Sequence, residues 1–478
     1  MNLNFFSEKD LARTYQAGID ILKKVGIRTD SERFKTLLSD HGCKVDNDVV
    51  KFTDGVIEKG LQTVPEKFTL YGRNNHNRIR FGRGDIHTQT LVGAPAVIDL
   101  SSGCKRDCTL QDVADIARLS DALPFMDIVS PAFPMDVPTD FVGLSQLRTL
   151  LNWTCKPLRL CVKSAAELSR MIEMLTLVAG DRVAMQKKPL AYIEISPISP
   201  LEYGREAAEA LCDIVEAGVP LGIIPSPMMG ATGPMSMAGC IAMHHAENLA
   251  GVLASQLLKP GAPVIMSPRA AFMDMRSGTG LWAMPEMGMM AAASVQLCRK
   301  TGVSCTATGY STASKTFDMQ SGYERLYNAL LPALSGADVL GAAGSLDNAL
   351  IACYRMLVVD NEISSAVKRT VQGTQVDDDA LAVDIIAEVF DQRTHFLDHE
   401  HTYNHLRSPG LWVPPLGDRH TYEEWIINAQ RLEQNAALEA RRILKTHEVI
   451  ALDKDIRVEL DRIVTFNSVG VKKKEVIS

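Results

Sequence analysis

The sequence predicts an α/β protein built on a (β/α)8 TIM barrel, with an α+β element added before the barrel and helical elements added after it. Three observations lead to this fold class. Short apolar runs alternate with amphipathic helical patterns, eight such runs occur, and several helical patterns end in glycine just before the next run. Eight strand–helix units over about 280 residues are what one closed barrel requires.

Each apolar run ends near Ser, Pro or Gly and precedes a helical pattern. In chain order the runs are APAVIDL (94–100), FMDIVSPA (125–132), PLRLCVKS (157–164), LAYIEISPIS (190–199), PLGIIPSPM (220–228), PVIMSPRA (263–270), SCTATGYS (304–311) and ADVLGAAGS (337–345). An open doubly wound sheet is the alternative, although no GxGxxG motif opens the first unit. The first run is also compatible with a hairpin on the barrel rim.

The pattern divides the chain into three parts. Residues 1–88 combine amphipathic helices with short strand-like stretches and predict an α+β cap, and residues 89–370 predict the barrel. From 371 to 478 the strand–helix repeat breaks down, which predicts a C-terminal helical extension packed on the barrel. We expect these additions to support a homo-oligomer.

Composition restricts the class of function. A net charge of −7 and a pI near 5.9 argue against binding of nucleic acid or of an anionic membrane surface. No window offers about 18 uninterrupted apolar residues, and the N-terminus soon turns polar, so we expect neither a membrane span nor a signal peptide. The 10 cysteines are scattered, mostly within apolar runs, as expected of reduced residues in a cytoplasmic protein.

In barrel enzymes the chemistry takes place at the C-terminal ends of the strands. Glu194 alternates with apolar neighbours, so it points either into the barrel or towards the helices, and a structural salt bridge is as good an interpretation as a functional role. The sequence contains no phosphate-binding loop and no GxSxG nucleophile elbow, and we expect no tightly bound metal. The polar candidates within the runs or just after them are Asp99, Lys163, Glu194, Arg269, Tyr310, Asp347 and Asn348.

Two loops, at 225–239 and 267–290, combine Met, Gly and Pro with little charge. Methionine is flexible and suits a surface that meets a large apolar face, and glycine lets backbone approach closely. Because these loops follow the fifth and sixth runs, they would lie on adjacent strands and line a wide opening. The alternative is that the methionines fill gaps in the core of a large barrel.

Several segments resemble the trimethylamine methyltransferase superfamily, and together they run over most of the chain. The more specific ones are TGYSTASKTFDMQSGYE (308–324) and HFLDHEHTYNHLRSPGLWVPPLGDRHTYEEW (395–425). The segments GADVLGAAGSLDN, TLQDVADIARLSDALPFMDIV and LKKVGIR are also similar to that family.

The resemblance implies a barrel enzyme that moves a methyl group from a methylated amine to the Co(I) corrinoid (cobalamin) of a small partner protein. Trimethylamine-specific members of the family carry pyrrolysine, whereas this sequence contains only the twenty standard residues. It therefore resembles the non-pyrrolysine members, whose known substrate class is quaternary amines such as glycine betaine, proline betaine and carnitine.

The chemistry of a quaternary amine limits what the protein has to supply. The nitrogen already carries positive charge and departs as a neutral amine, so alignment and exclusion of water suffice, and we expect no covalent catalytic residue. Because the charge on nitrogen falls in the transition state, a carboxylate against it would favour the ground state. Aromatic faces, which contribute about 0.5–2 kcal/mol each, bind the ammonium less tightly.

These constraints assign expected roles to the candidates. We expect an aromatic cage of Phe272, Trp282 and Tyr310, with Glu194 or Asp99 further out. A betaine carboxylate would bind Arg269 or Lys163. The residues expected against the corrinoid are Met228, Met229, Met275, Asp347 and Asn348.

Two other functions remain open from the residues alone. A Schiff-base lyase on the same barrel would use Lys163 or Lys315 as its nucleophile. A non-catalytic quaternary-amine-binding protein would bind its ligand tightly and transfer no methyl group.

Overall fold

The computed structural model describes residues 3–74, 76–406 and 410–471, with side chains described as far as 465. The N-terminal part is an α+β arrangement, and its three helices pack near the outer side of one long helix of the barrel layer. Its elements are α1 (Glu8–Lys24), β1 (Ile27–Arg28), α2 (Glu32–Asp40), β2 (Lys44–Asp46), β3 (Val49–Lys51), α3 (Asp54–Gln62), β4 (Phe68–Tyr71) and β5 (Arg78–Phe81).

The centre of the molecule is a parallel sheet of seven strands that curls into a barrel. Residues 128–129 form an eighth segment that joins the two edges of this sheet. Ile128 forms an isolated parallel bridge with Gln89, and Val129 forms one with Leu158. The expected α/β barrel is therefore confirmed. Its strands are β6 (His87–Thr90), β9 (Leu158–Cys161), β10 (Ala191–Ile195), β11 (Leu221–Ile223), β13 (Val264–Met266), β16 (Ser304–Thr308) and β17 (Val339–Ala343).

The first barrel strand differs from the expectation. β6 opens the barrel, and the run at 94–100 instead contributes β7 (Ala96–Ile98), which forms an antiparallel hairpin with β8 (Lys105–Asp107). In a four-stranded sheet, β7 of this hairpin also pairs with β19 (Ile351–Cys353), which in turn pairs with β18 (Ser345–Leu346). The sequence HTQT of β6 lacks an apolar run because its side chains make polar contacts, such as that between Gln89 and the Tyr192 hydroxyl.

An apolar plug fills the N-terminal end of the barrel. The hairpin of β4 and β5 stacks the rings of Phe68 and Phe81 at a centroid distance of 4.5 Å. These side chains join one hydrophobic cluster with residues of four barrel strands or segments, which are Ile128, Tyr192, Ile265 and Val339. The plug leaves the C-terminal ends of the strands as the place for a binding site.

A second small sheet lies beyond the C-terminal ends of the barrel strands. β12 (Met228–Met229) pairs in parallel with β14 (Ala271–Asp274), which pairs antiparallel with β15 (Thr279–Leu281). The two methionine-rich loops thus meet as neighbouring strands. We call this three-stranded sheet the rim sheet.

Helices surround the barrel, and many begin at a side chain that caps free backbone N–H groups. Thr109 and Asp112, for example, form a capping box at the start of the first of these helices. The barrel helices are α4 (Leu110–Ala122), α5 (Val142–Trp153), α6 (Ala165–Ala179), α7 (Arg182–Lys187), α8 (Arg205–Ala217), α9 (Met237–Leu258), α10 (Pro285–Lys300), α11 (Met319–Leu334) and α12 (Tyr354–Gln372). Among the described residues no helix is long and apolar enough to cross a membrane.

The C-terminal part is helical. Its last two helices contact α4, α5, α6 and α12 of the barrel layer. The division of the chain at 88/89 and 370/371 stays a prediction. The helices are α13 (Asp378–Leu381), α14 (Val383–Gln392), α15 (Glu400–Leu406), α16 (Tyr422–Trp425), α17 (Leu432–Thr446) and α18 (Lys454–Val471).

Candidate functional site

A buried ion pair lies inside the barrel. Glu194 of β10 accepts a hydrogen bond from Nε of Arg159 at 2.7 Å and another, shorter one from Nη2 of the same guanidinium. The second carboxylate oxygen of Glu194 accepts from the hydroxyl of Ser267 at 2.7 Å. The side chains of Arg159 and Glu194 are buried. Glu194 therefore points into the barrel, and both of its oxygens already have partners.

Arg269 follows β13, close to this pair. Its Nη1 is buried and donates no hydrogen bond to any residue that the structure describes. Burial lowers the pKa of Arg269, and the nearby Glu194 carboxylate opposes that shift. Because arginine remains protonated in proteins, a positive group with no ion-pair partner among the described residues lies at the C-terminal face of the barrel.

The charged groups around Arg269 do not balance locally. The groups that act electrostatically on Arg269 include one carboxylate, that of Glu194, and a second guanidinium, that of Arg159. Nη1 of Arg159 is also buried without a hydrogen-bond partner in the described part of the chain. Two guanidinium groups thus share one carboxylate. A buried excess charge is costly unless a ligand compensates it, so the arrangement favours an anionic group of a substrate.

Glycines make room for these side chains. A Cβ at Gly222 of β11 would lie 2.4 Å from Cγ of Glu194, and a Cβ at Gly341 of β17 would lie 3.0 Å from Nη2 of Arg269. Both distances are shorter than ordinary van der Waals contact. Small residues on two strands therefore determine where the carboxylate and the guanidinium lie.

A buried histidine positions the backbone of Arg269. Nε2 of His244 on α9 lies 3.1 Å from the Arg269 amide nitrogen and 3.2 Å from the carbonyl oxygen of Pro225. Burial lowers the pKa of His244 to about 3, so the ring is neutral and can accept from the amide. With the ring proton on Nδ1, Nε2 accepts from the Arg269 amide and only lies close to the Pro225 carbonyl; with the proton on Nε2, it donates to that carbonyl instead.

Small polar side chains are exposed at other strand ends. They belong to Cys161, Ser196 and Ser226. Desolvation by the surrounding protein raises the pKa of the Cys161 thiol, which keeps the thiol protonated at neutral pH. Lys163, after β9, lies with its Nζ 4.9 Å from the ring centroid of Phe133. These residues form a polar side of the barrel mouth, which is the opening at the C-terminal ends of the strands. The rim sheet forms an apolar side.

The rim sheet carries aromatic and methionine side chains. Phe272 on β14 pairs across the sheet with Leu281, next to Trp282. Both aromatic side chains are half-buried. Met228 and Met229 lie on β12, where Met229 is buried and Met228 is partly exposed. Met275 is exposed, with 62% of its surface accessible.

The loop after β17 supports the rim from another side. The Asn348 side-chain oxygen accepts a hydrogen bond from the Trp282 backbone amide at 3.1 Å. Asp347 lies 3.6 Å from Nζ of Lys315. Asp347, Asn348 and Ala349 all have positive φ, between 49° and 68°. Strained backbone of this kind concentrates at functional sites. Here the strained turn places Asn348 beside Trp282.

Two expected site residues have their side-chain partners elsewhere. Tyr310 is fully buried, and its hydroxyl lies 3.2 Å from Oγ1 of Thr88 within the packed interior. Asp99 lies in the turn of the β7–β8 hairpin, where it accepts from Ser102 and lies 3.3 Å from Arg106. The structure therefore does not bring Tyr310 into an aromatic cage with Phe272 and Trp282. Asp99 lies in the hairpin and not at the end of a barrel strand, because its run pairs with β8 and β19.

Sequence reasoning missed three features. Arg159 lies within PLRLCVKS, which the pattern predicts as an apolar strand. A cation in such a run indicates that an anionic partner lies inside the fold. Ser267 carries no pattern that reveals its contact with Glu194. The four-residue spacing of His401 and His405 is visible in the sequence, and the structure brings both rings to Asp379.

The fold and the site define a class: a TIM-barrel enzyme whose C-terminal mouth combines an unpaired cation with an apolar, methionine-rich rim. The family model described as trimethylamine methyltransferase matches residues 1–468, and the chain belongs to this family. It is therefore a methyltransferase, and the lyase and binding-protein alternatives lose their support.

Relatives of known name agree with this assignment. The chain is 30% identical to a trimethylamine methyltransferase of Desulfitobacterium hafniense, over 96% of this chain and 93% of that one. It is also 30% identical to a glycine betaine methyltransferase of Desulfitobacterium hafniense, over 96% of each chain. A trimethylamine methyltransferase of Methanosarcina barkeri is 29% identical over 97% of this chain and 95% of the relative.

A solved structure shares the fold. The monomethylamine methyltransferase of Methanosarcina barkeri matches with a TM-score of 0.53 at 13% sequence identity, covering 93% of this chain and 94% of that chain. At this identity the likeness concerns the architecture of the barrel alone.

Proposed function

We propose that this methyltransferase demethylates a quaternary amine that also carries a carboxylate, of the glycine betaine, proline betaine or carnitine class. The acceptor is the Co(I) corrinoid of a partner protein. The observation that carries the proposal is the buried Nη1 of Arg269, which has no hydrogen-bond partner among the described residues. A substrate carboxylate would supply that partner.

The charge count supports a carboxylated substrate. Arg159 and Arg269 face one internal carboxylate, so an anion of charge −1 neutralises the cluster. An amine without a carboxylate, such as trimethylamine or tetramethylammonium, would leave the excess positive charge in place. Such a cation would also be repelled by the Arg269 guanidinium.

The surroundings of Glu194 suit transfer from a quaternary nitrogen. Arg159 and Ser267 occupy its oxygens, so its negative charge is already engaged and does not stabilise the substrate cation in the ground state. Phe272 on the rim sheet and Trp282 directly after β15 can offer ring faces to the ammonium group. Each such contact is worth about 0.5–2 kcal/mol.

The rim sheet suits a large apolar acceptor. The corrinoid of the partner protein would supply Co(I) as the nucleophile, and this chain's residues would bind the amine, orient its methyl group and exclude water. Met228 and Met275 are the candidate contacts with the corrinoid or its carrier, and Met229 would support them from beneath. Asp347 and Asn348 would hold the adjoining rim.

The residues that remain from the expected set have secondary roles in this proposal. Lys163 is a second candidate for the carboxylate, at the edge of the mouth beside Phe133. All ten cysteines are free, which fits a reducing, cytoplasmic location. Homo-oligomeric assembly is also part of the proposal.

The proposal is tested by methyl transfer to free Co(I) cobalamin. The purified full chain is offered glycine betaine, proline betaine, carnitine, trimethylamine and tetramethylammonium, and formation of methyl-Co(III) is followed by absorbance. We expect turnover with at least one carboxylated quaternary amine. Turnover with trimethylamine alone, or tight binding of a betaine without any transfer, would contradict the proposal.

A further inference from the structure

A cluster of metal-binding side chains lies in the C-terminal part, on elements other than those of the barrel mouth. His401 and His405 lie four residues apart on α15, which places them on the same face of the helix. Their ring centroids are 3.9 Å apart. One ligand atom from each histidine and one from Asp379 all lie within 4.8 Å of one another.

Asp379 reaches this pair from a different helix. Its carboxylate lies 3.6 Å from Nε2 of His405, and its backbone carbonyl oxygen lies 3.2 Å from Nε2 of His401. Asp379 belongs to α13, so the cluster connects two helices that are separated in sequence by α14 and a loop. Both rings are half-buried, and the carboxylate is exposed, which leaves access for an ion from solvent.

The donor set indicates the class of ion. Two imidazole nitrogens and one carboxylate oxygen form a mixed N/O set that suits Zn²⁺ and neighbouring divalent transition metals. Mg²⁺ and Ca²⁺ prefer sets made of oxygen alone. Three protein ligands leave one position of a tetrahedral ion for water.

The surrounding segment has little apolar burial of its own. Within the described part of 376–428, Val389 is the buried large apolar side chain, with 7% of its surface exposed. Many others point to solvent, including Leu381, Ile386, Phe390, Leu397 and Leu406. A short helical segment without a core is commonly held by a metal, because metal binding then contributes directly to folding.

We propose that Asp379, His401 and His405 bind one divalent transition-metal ion of the Zn²⁺ type, which fixes α13 against α15. The ion closes the loop that contains α14 and so restricts the conformations of the segment. The site is structural and independent of the methyl-transfer chemistry.

The test is a direct titration of the full-length protein with Zn²⁺ after removal of bound metal by a chelator. We expect one Zn²⁺ per chain, competed by a chromophoric indicator, and X-ray absorption showing two imidazole ligands. His401→Ala and His405→Ala should each weaken Zn²⁺ binding at least tenfold. His395→Ala, which removes an exposed histidine of the same segment, should leave binding unchanged.

A second measurement separates loss of the site from loss of the fold. Zn²⁺ should slow amide hydrogen exchange in α13–α15 of the wild type, and Asp379→Asn, which keeps the size of an exposed side chain, should reduce that protection. If Zn²⁺ binds the His401→Ala variant as tightly as the wild type, or does not protect α13–α15, the proposal is wrong. These readouts do not involve methyl transfer, so their outcome is independent of the proposed activity.

Discussion

The barrel interior and the C-terminal segment at 376–428 differ in which side chains they bury and which they expose. In the barrel, charged groups are buried and held by near neighbours, as in the pair of Arg159 and Glu194. In the C-terminal segment, large apolar groups such as Phe390 and Leu397 are exposed, at 80% and 83% of their surface. Among the described residues, the barrel interior leaves Nη1 of Arg269 without a hydrogen-bond partner, whereas the C-terminal segment buries little apolar surface.

The difference shows where each region obtains its stability. A closed barrel can bury polar groups because its strands and the apolar plug fix their geometry. The described residues of the C-terminal segment bury little apolar surface, which is consistent with the metal ion that we propose there. Substitutions in the two regions should therefore have different effects on stability and on activity.

Breaking the internal pair should have the largest effect on stability. Glu194→Ala leaves Arg159 buried and unpaired, and we expect a loss of about 3–5 kcal/mol in the free energy of unfolding, measured by denaturant titration. The double variant Arg159→Met with Glu194→Leu should recover part of this loss. A loss below about 1 kcal/mol for Glu194→Ala would show that the pair does not hold the barrel interior.

Displacing Arg269 should lower activity more than stability. In Gly341→Ala, the new Cβ would lie 3.0 Å from Nη2 of Arg269 and move the guanidinium by a few tenths of an ångström. We expect kcat/KM for the carboxylated substrate to fall about tenfold, which is about 1.4 kcal/mol. Gly322→Ala, at a helical glycine with open space around it, is the matched control and should keep full activity.

The buried carboxyl of Glu247 on α9 should make stability depend on pH. It accepts from the Leu201 amide at 2.8 Å, and burial raises its pKa from 4.5 to about 7. Between those two values the folded state holds a proton that the unfolded state has lost, so this group makes the free energy of unfolding fall as pH rises from about 4.5 to about 7.

The variant Glu247→Gln isolates this contribution. In this variant the free energy of unfolding should no longer fall between the two pKa values. The value for the variant minus that for the wild type should therefore grow across this pH range and then level off. Thermal or denaturant unfolding at four or five pH values would measure it. A constant difference across the range would contradict the assignment.

Changes in the exposed C-terminal segment should have the smallest effect on the isolated chain. Phe390→Ser removes a side chain that is 80% exposed, and we expect a change within about 0.5 kcal/mol. The neighbouring Val389→Ala, at a buried position, should cost roughly 1–3 kcal/mol. Equal costs for the two would mean that Phe390 is covered in solution.

The sequence is sufficient to predict the barrel because seven of the eight apolar runs coincide with barrel strands or with the 128–129 segment. It does not predict β6, because HTQT is polar and its burial depends on partners such as Tyr192. Arg269 and Trp282 were predicted near the mouth from their position after a strand. The contact of Arg269 with Gly341 joins distant parts of the chain, and no local pattern encodes it.

The contacts of Asp99 and Tyr310 differ from the expected ones for separate physical reasons. Asp99 follows a run whose alternation fits a hairpin strand as well as a barrel strand, and pairing with β19 decides between them. Tyr310 follows a true barrel strand, but its ring turns inward to Thr88. The direction of a side chain after the end of a strand depends on the loop, which periodicity does not describe.

The central claim is that the unpaired charge of Arg269 selects a carboxylated quaternary amine. The most direct measurement is the ratio of kcat/KM for the carboxylated substrate to that for tetramethylammonium, in the wild type and in Arg269→Ala, with methyl-Co(III) formation as readout. Arg276→Ala, at an exposed arginine of the same loop, is the control. We predict that the ratio falls on the order of 10²-fold in Arg269→Ala and stays constant in the control. An unchanged ratio in Arg269→Ala would contradict the account.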